Sequence, residues 1–282
     1  MKKNIKIVKF LGGLGNQMFQ YAFAKVIGAD ALDISWFEES KNNPNITPRE
    51  YELNVFQCNP NILNPVQSRK LKNNKLLKLF GIKTGLKIIS ENPENIYNPK
   101  MLEQKSGLFV GYFQCAQYYD NFREVLLHDF VLRAKPNAKN KKVLDLIANT
   151  NSVSLHVRRG DYVNLPDVFN LCNLEYYKSA IDLIATRVKN PHFFIFSDDP
   201  AWVRENLRTD FPCTVVDFNH GRDSVWDMFL MKNCKHNIIA NSSFSWWGAW
   251  LNENPDKIVI APKQWFANGA KTDIIPENWI RI

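Results

Sequence analysis

Residues Ile5 to Leu11 alternate apolar and polar side chains, the period of a strand with one buried face. Phe19, Ala22, Phe23, Val26 and Ile27 then recur at i, i+3, i+4, i+7 and i+8, which gathers them on one helix face. Between the two lies Gly12-Gly13-Leu14-Gly15-Asn16, so the chain is expected to open as strand, glycine turn and helix. Glycines there permit a tight turn and close approach of a ligand, with helix-start amides aimed at it. From about residue 40 to 145 the pattern blurs into an Asn-, Pro- and Lys-rich stretch. It holds a weakly helical piece at 68–79 and an aromatic cluster from Val110 to Tyr119. The basic segment Arg133 to Lys142 (RAKPNAKNKK) reads as a linker with solvated charges. It divides the chain into expected domains at 1–140 and 141–282, with the boundary inside 130–150.

Beyond residue 150 the pattern sharpens. β-rich runs occur at Ser152–Val157, His192–Phe196, Thr214–Phe218, Asn237–Ala240 and Lys257–Ile260. Helices fall between them. Asn173 is placed to cap one whose apolar stripe is Tyr177, Ala180, Ile181, Ile184 and Val188. Asp199-Pro200 reads as an N-cap followed by proline at the first helical position. Asp223 is placed to cap a third helix carrying Val225, Met228 and Phe229. Near-continuous apolar strands alternating with helices predict a parallel sheet covered on both faces, a doubly wound α/β domain.

Composition narrows the classes. With 282 residues the prior is about two domains, and 45% apolar with 23% charged residues excludes a disordered, collagen-like or coiled-coil chain. The five cysteines (Cys58, Cys115, Cys172, Cys213, Cys234) are odd in number and form no CxxC pair. They fit free thiols in a reducing compartment better than disulfides or a zinc site. A net charge of +8 favours anionic partners and leaves nucleic acid, an acidic membrane surface and a phosphorylated small substrate open. The N-terminus has a basic start, but Lys6, Lys9 and Gly12 to Gln17 interrupt any signal-peptide core. No run approaches the ~18 apolar residues of a membrane span. The expected location is the cytoplasm.

Each strand of the second half ends in polar residues: HVRRGD, SDD, DFN and NSSFS. In open α/β sheets ligands bind outside the carboxyl ends of strands, so these residues are expected to form one site. Alternation puts Ser154, His156 and Arg158 on one face, with Val153, Leu155, Val157 and Arg159 on the other. Arg158 and Arg159 at a strand end suit bidentate capture of phosphate oxygens, or an Arg159–Asp161 ion pair simply staples the turn. Asn241, Ser242, Ser243, Phe244 and Ser245 lead into a helix start suited to an anion. Trp246, Trp247 and Trp250 on that helix are core, or else a sugar-stacking face. Of Asp198 and Asp199, one is the expected cap and the other is left to accept hydrogen bonds from a ribose or base. No D-x-D triplet or metal-ligand spacing occurs, so arginine and helix dipoles are expected to meet phosphate charge.

GGLGNQMFQYA at 12–22, HVRRGDYV at 156–163, FSDDP at 196–200 and HNIIANSSFSWWGAWLN at 236–252 together resemble the bacterial α-1,2-fucosyltransferases of glycosyltransferase family 11. Only about 30–150 lacks a diagnostic string. The resemblance implies a GT-B-type fold, two Rossmann-like domains facing across a cleft, the first on the acceptor side and the second binding the donor. It implies inverting, metal-independent transfer of L-fucose from GDP-β-L-fucose to the 2-hydroxyl of a galactose-containing oligosaccharide, with no cofactor and no nucleic acid. A peripheral contact with an acidic membrane surface stays open. Arg158 matches the arginine that grips the donor pyrophosphate. His156, Asp198 and Asp199 match positions near the nucleoside, and Asn241, Ser242, Ser243 and Phe244 match the phosphate loop. Gly13, Gly15 and Asn16 match the glycine loop facing the reaction centre, which implies donor contacts from Gly13 and Gly15 and a catalytic part for Asn16 beside Arg158; Asp161 is the candidate general base, or else orients Arg158.

Three rivals remain. Gly13-x-Gly15 with Asp33 about twenty residues on suggests a dinucleotide-binding oxidoreductase, but Met18 stands at the third glycine position. A non-catalytic glycan-binding protein would use the tryptophans and leave the paired arginines unexplained. Fucosyltransferases of other linkages share the arginine motif.

Overall fold

The computed structural model describes residues 4–41, 43, 47–72, 86–91, 95–160 and 171–282. Two compact units divide the chain: Met1–Arg133 with Thr272–Ile274, and Ala134–Lys271 with Ile275–Ile282.

The first unit runs β1 (Lys6–Lys9), α1 (Leu14–Ile27), β2 (Ala31–Asp33), α2 (Trp36–Ser40), α3 (Pro65–Lys72), β3 (Ile88–Ser90), β4 (Gly107–Val110) and α4 (Arg123–Asp129). Its four strands are parallel in the order β2-β1-β4-β3. α1 stops at Gly28, whose left-handed φ of 61° lets the last carbonyls bond the amides of Gly28 and Ala29. The strand, glycine turn and helix expected at the start are present. β3 and β4 are additions, three and four residues long, that no periodicity in this stretch announced.

The second unit runs α5 (Ala138–Ala148), β5 (Asn151–Val157), α6 (Leu174–Ala185), β6 (Pro191–Ser197), α7 (Pro200–Asn206), β7 (Cys213–Val216), α8 (Val225–Asn233), β8 (His236–Ile238), α9 (Ser243–Trp250), β9 (Val259–Ala261) and β10 (Ile280–Arg281). Six parallel strands lie in the order β10-β9-β8-β5-β6-β7. The alternation read from the sequence holds. Val153, Leu155 and Val157 pack with Tyr177, Ala180, Ile181 and Ile184 of α6 in one core. Phe194, Phe196 and Val216 pack with Val143, Ile147, Leu230 and Met231 in a second core. The interleaved Ser152 and Ser154 are buried and satisfied, by the Lys235 N–H at 3.0 Å and the Asn237 amide at 2.7 Å. Asn173 and Asp199 cap α6 and α7 as expected, accepting from the Tyr176 and Trp202 amides at 2.8 and 3.0 Å. Such caps are each worth ~1 kcal/mol.

Three expectations need correction. The supposed linker is largely helix: Asn137 caps α5 through the Asn140 amide at 2.9 Å, leaving only 134–137 as connection. Asp223 is not a cap; it lies in the short turn Gly221–Ser224 that precedes α8. The tryptophans offer no sugar-stacking face. Trp246 and Trp247 are fully buried, and Trp246 stacks on Trp250 at 6.0 Å and 12° and packs against Trp279. All five cysteines are free. Among the described residues no helix is long and apolar enough to cross a membrane.

Candidate functional site

In the second unit the chain departs from β5 to β6 on one side, while β8 lies on the other, so the sheet reverses between β5 and β8. The carboxyl ends at such a reversal splay apart and leave a crevice. His156 stands at the end of β5 and is buried, its ring 5.9 Å from that of Phe244 in the first turn of α9. Burial, and then the Arg158 charge, push its pKa down to about 3, so the imidazole is neutral at physiological pH. Its Nδ1 is buried and has no hydrogen-bond partner among the described residues.

Arg158 leaves the strand beside it. Its Nη1 pairs with Asp198 Oδ2 at 2.9 Å, while Asp198 Oδ1 accepts the Arg159 N–H at 2.9 Å. Gly160 is required here, because a Cβ would collide with that carboxylate. Asp198 thus anchors one end of the Arg158 guanidinium and the Arg159 backbone at once. Arg159 takes the staple role. Its Nε bonds Asp199 Oδ2 at 3.2 Å and its guanidinium lies 4.2 Å from the Trp202 ring centroid. The staple's recorded partner is Asp199, while Asp161 lies outside the described residues.

At the end of β8, the Asn241 side chain donates to the Trp265 carbonyl at 3.0 Å and is buried. Ser242 precedes α9 without a side-chain cap bond, and the Ser245 hydroxyl turns back to the Ser242 and Ala240 carbonyls. The serine cluster thus offers backbone amides of the first turn more than hydroxyls, and those amides have no acceptor within the helix. The structure brings His156, Arg158, Asp198, Asp199 and the Asn241–Phe244 segment to one sheet edge.

Gly13, Gly15 and Asn16 belong to the first unit. The turn is tighter than expected: α1 starts at Leu14, so Gly15 and Asn16 already sit in its first turn. The demanding glycine is Gly12, at φ 81°, where a Cβ would lie 2.5 Å from Asn16 Nδ2. Asn16 Oδ1 accepts Gln114 Nε2 at 2.8 Å. Gln17 and Gln20 were missed. Gln17 donates to the Gly12 and Glu50 carbonyls, and Gln20 bonds both backbone groups of Leu11 and the Gly111 carbonyl. Their spacing, three apart on the helix after the turn, was the available signal. Two buried carboxylates were also missed and had none. Burial raises Glu91, after β3, and Asp227, on α8, each to about 7. Asp227 accepts from Asn219 at 2.7 Å beside the reciprocal Asn140–Asn219 amide pair. Asp33, the acid of the dinucleotide fingerprint, is buried and accepts the Ser35 amide at 3.0 Å.

Known proteins agree with the motif reading. The chain matches glycosyl transferase family 11 over residues 2–282. It is 34% identical over 300 aligned residues to an O-antigen biosynthesis glycosyltransferase, WbnK, of Escherichia coli, covering 96% of this chain and 98% of that protein. It is 33% identical to an alpha-1,2-colitosyltransferase of Escherichia coli, covering 99% of each. A galactoside alpha-(1,2)-fucosyltransferase 2 of Gorilla gorilla gorilla is 31% identical over 163 residues, 54% of this chain and 47% of that one. Full-length likeness to two bacterial transferases, on a chain whose arginine turn and glycine turn both lie at sheet edges, settles the family: the chain is a glycosyltransferase and belongs to glycosyl transferase family 11.

Proposed function

We propose that the chain is an inverting α-1,2-fucosyltransferase that moves L-fucose from GDP-β-L-fucose to the 2-hydroxyl of a galactoside. The observation that carries this reading is the Arg158 guanidinium, anchored by Asp198 at the end of β5 where the sheet reverses, on the strand end whose His156 meets Phe244 of α9. Departure of GDP builds negative charge on the diphosphate and positive character on the sugar. A fixed guanidinium and helix-start amides stabilise that charge more in the transition state than in the ground state. This supply of positive charge supports transfer without a divalent metal. Neutral His156, whose Nδ1 has no partner among the described residues, is suited to hydrogen-bond the donor, alongside Ser242, Ser243 and Phe244. Asp198 and Asp199 act through the arginines they hold. Gly13, Gly15 and Asn16 serve the acceptor side, and Asp161 takes the acceptor proton.

A second reading has its own support. The full-length likeness to an alpha-1,2-colitosyltransferase favours a donor sugar lacking the 3-hydroxyl of fucose. One assay tests both. The chain is incubated in EDTA with GDP-fucose or GDP-colitose and a panel of galactosides, and the product linkage is read by NMR. An α-fucoside at O2 is expected. A β-linked product, a different linkage, activity restored only by magnesium or manganese, or exclusive use of GDP-colitose overturns the corresponding part.

A further inference from the structure

Glu91 follows β3 at the carboxyl edge of the first sheet. Its amide donates to the Val110 carbonyl at 2.9 Å, and its Oε2 accepts the N–H groups of Tyr112 and Phe113 at 2.8 and 2.6 Å. Its Oε1 is shut off from solvent and has no hydrogen-bond partner among the described residues. A neutral carbonyl could accept the same two bonds without the cost of burying a charge, so a carboxylate here needs a further reason.

The segment it grips is unusual. Phe113 has a left-handed φ of 53°, and its ring stacks on Phe23 at 3.9 Å and 4°. Gly111 lies so close that a Cβ would sit 2.5 Å from the Glu91 Cβ, so turn and carboxylate are built around each other. The same turn carries the exposed ring of Tyr112 and the Gln114 amide, which donates to Asn16 and lies 3.5 Å from the Asn95 amide that donates to it.

We propose that Glu91 is a positioning residue for the acceptor, whose carboxylate locks the 111–114 turn so that the Tyr112 ring and the Gln114–Asn16 amide pair are presented together. An exposed aromatic face suits the apolar side of a sugar ring, and neighbouring amides supply donors and acceptors for its hydroxyls. The inference rests on the reading that the glycine-turn edge serves the acceptor.

Titration of Glu91 gives a handle on it. Burial pushes its pKa up to about 7 against the two backbone donors that lower it. The titratable groups that feel it are Cys115, Tyr118 and Tyr119 just beyond the turn, all shifted upward by burial and neutral below pH 8. Above pH 7 the carboxylate is ionised and both amide bonds are charge-assisted. Below it the charge is lost and the grip weakens.

The test compares wild type with Glu91→Gln and Glu91→Asp. Glu91→Gln is expected to raise the acceptor KM roughly five- to tenfold, the weight of the charge assistance lost from its two hydrogen bonds, with donor KM and GDP affinity unchanged. Wild-type kcat/KM for acceptor should fall as pH drops through 7, and the Gln variant should lose that limb. Fold is not a confounder. Glu91 binds its proton more tightly folded than unfolded, so wild type loses stability as pH rises toward 7, and Glu91→Gln should melt no lower than wild type at pH 8. Glu91→Asp keeps the charge but shortens the reach, and should raise acceptor KM while retaining the acid limb. A readout independent of sugar chemistry is the NMR signal of the Asn16 side-chain amide. It should titrate near pH 7 in wild type and stay fixed in Glu91→Gln. If wild type transfers nothing from either GDP-sugar, the reading of the function fails while this titration still tests the coupling. An Asn16 signal indifferent to pH, or donor and acceptor KM rising together, overturns the proposal.

Discussion

At the reversal of the first sheet, between β1 and β4, the strand ends are tied together by neutral side-chain amides. In the second sheet the ends of β5 and β6, next to the reversal between β5 and β8, are tied by charges instead. Gln17 and Gln20 are fully buried, and Gln20 ties Leu11 after β1 to Gly111 after β4. In the second unit the corresponding ends carry Arg158, Arg159, Asp198 and Asp199 in two ion pairs. Amides fix backbone without the desolvation that a buried charge demands, but they project little field. The partly exposed ion pairs do the opposite: each carboxylate aligns a guanidinium at some desolvation cost, and the fork then presents directed positive charge. One topology thus carries a weak field at one edge and directed positive charge at the other.

The sharpest way to break this contrast is Arg158→Ala. It should lower kcat by roughly 10²–10³, the usual cost of one preorganised donor to developing charge, without a matching loss of stability. Arg158→Lys should not restore turnover, because a point charge cannot reproduce the planar fork that Asp198 holds. Near-wild-type turnover in the lysine variant would show that net charge, not geometry, is what the charged edge supplies.

The neutral edge should fail differently. Gln20→Ala strips the Leu11 amide and two carbonyls of a side-chain partner in a buried place. A loss of about 1–3 kcal/mol in denaturant unfolding is expected, with GDP affinity unchanged. A stable variant that binds GDP poorly would reverse the assignment of the two edges.

The contrast also explains what the sequence disclosed. The second unit was legible because β5 and β6 are seven residues long, buried, and followed by capped helices, so period, cap and strand-end polarity agree. Their site residues follow from alternation alone, as with His156 and Arg158. The pairing was not legible: that Asp198 serves Arg158 and Asp199 serves Arg159 depends on register between β5 and β6, which no single strand encodes. In the first unit β3 and β4 are too short for a period of two to register, and Ile88 is exposed on the edge strand β3. Glu91 and Gln114 sit beyond these strand ends, in a stretch where composition drowns pattern, and acquire meaning only when β4 pairs with β3 for the first and with β1 for the second.

The glycine turn offers the finest test. The chain places two glycines before α1, and only Gly12 is required by the protein itself, through its φ of 81° and its approach to Asn16. Gly13 has φ −77° and ψ 179°, ordinary for any residue, and a Cβ there would meet nothing within 4 Å. Gly12→Ala should therefore destabilise by more than Gly13→Ala, which should shift stability by no more than about 1 kcal/mol either way. Among the described residues nothing around Gly13 needs its missing side chain, so close approach of a ligand is the role to test. If that ligand is the acceptor, Gly13→Ala lowers kcat/KM for acceptor by roughly tenfold through misplacement of the sugar, and leaves GDP affinity alone. Melting temperature, GDP calorimetry and acceptor kinetics on this one variant read the three quantities apart. Unchanged acceptor kinetics would remove Gly13 from the site and leave Asn16 as the turn's contribution, and a large drop in melting temperature would mean that the cap of α1 cannot tolerate a side chain after all.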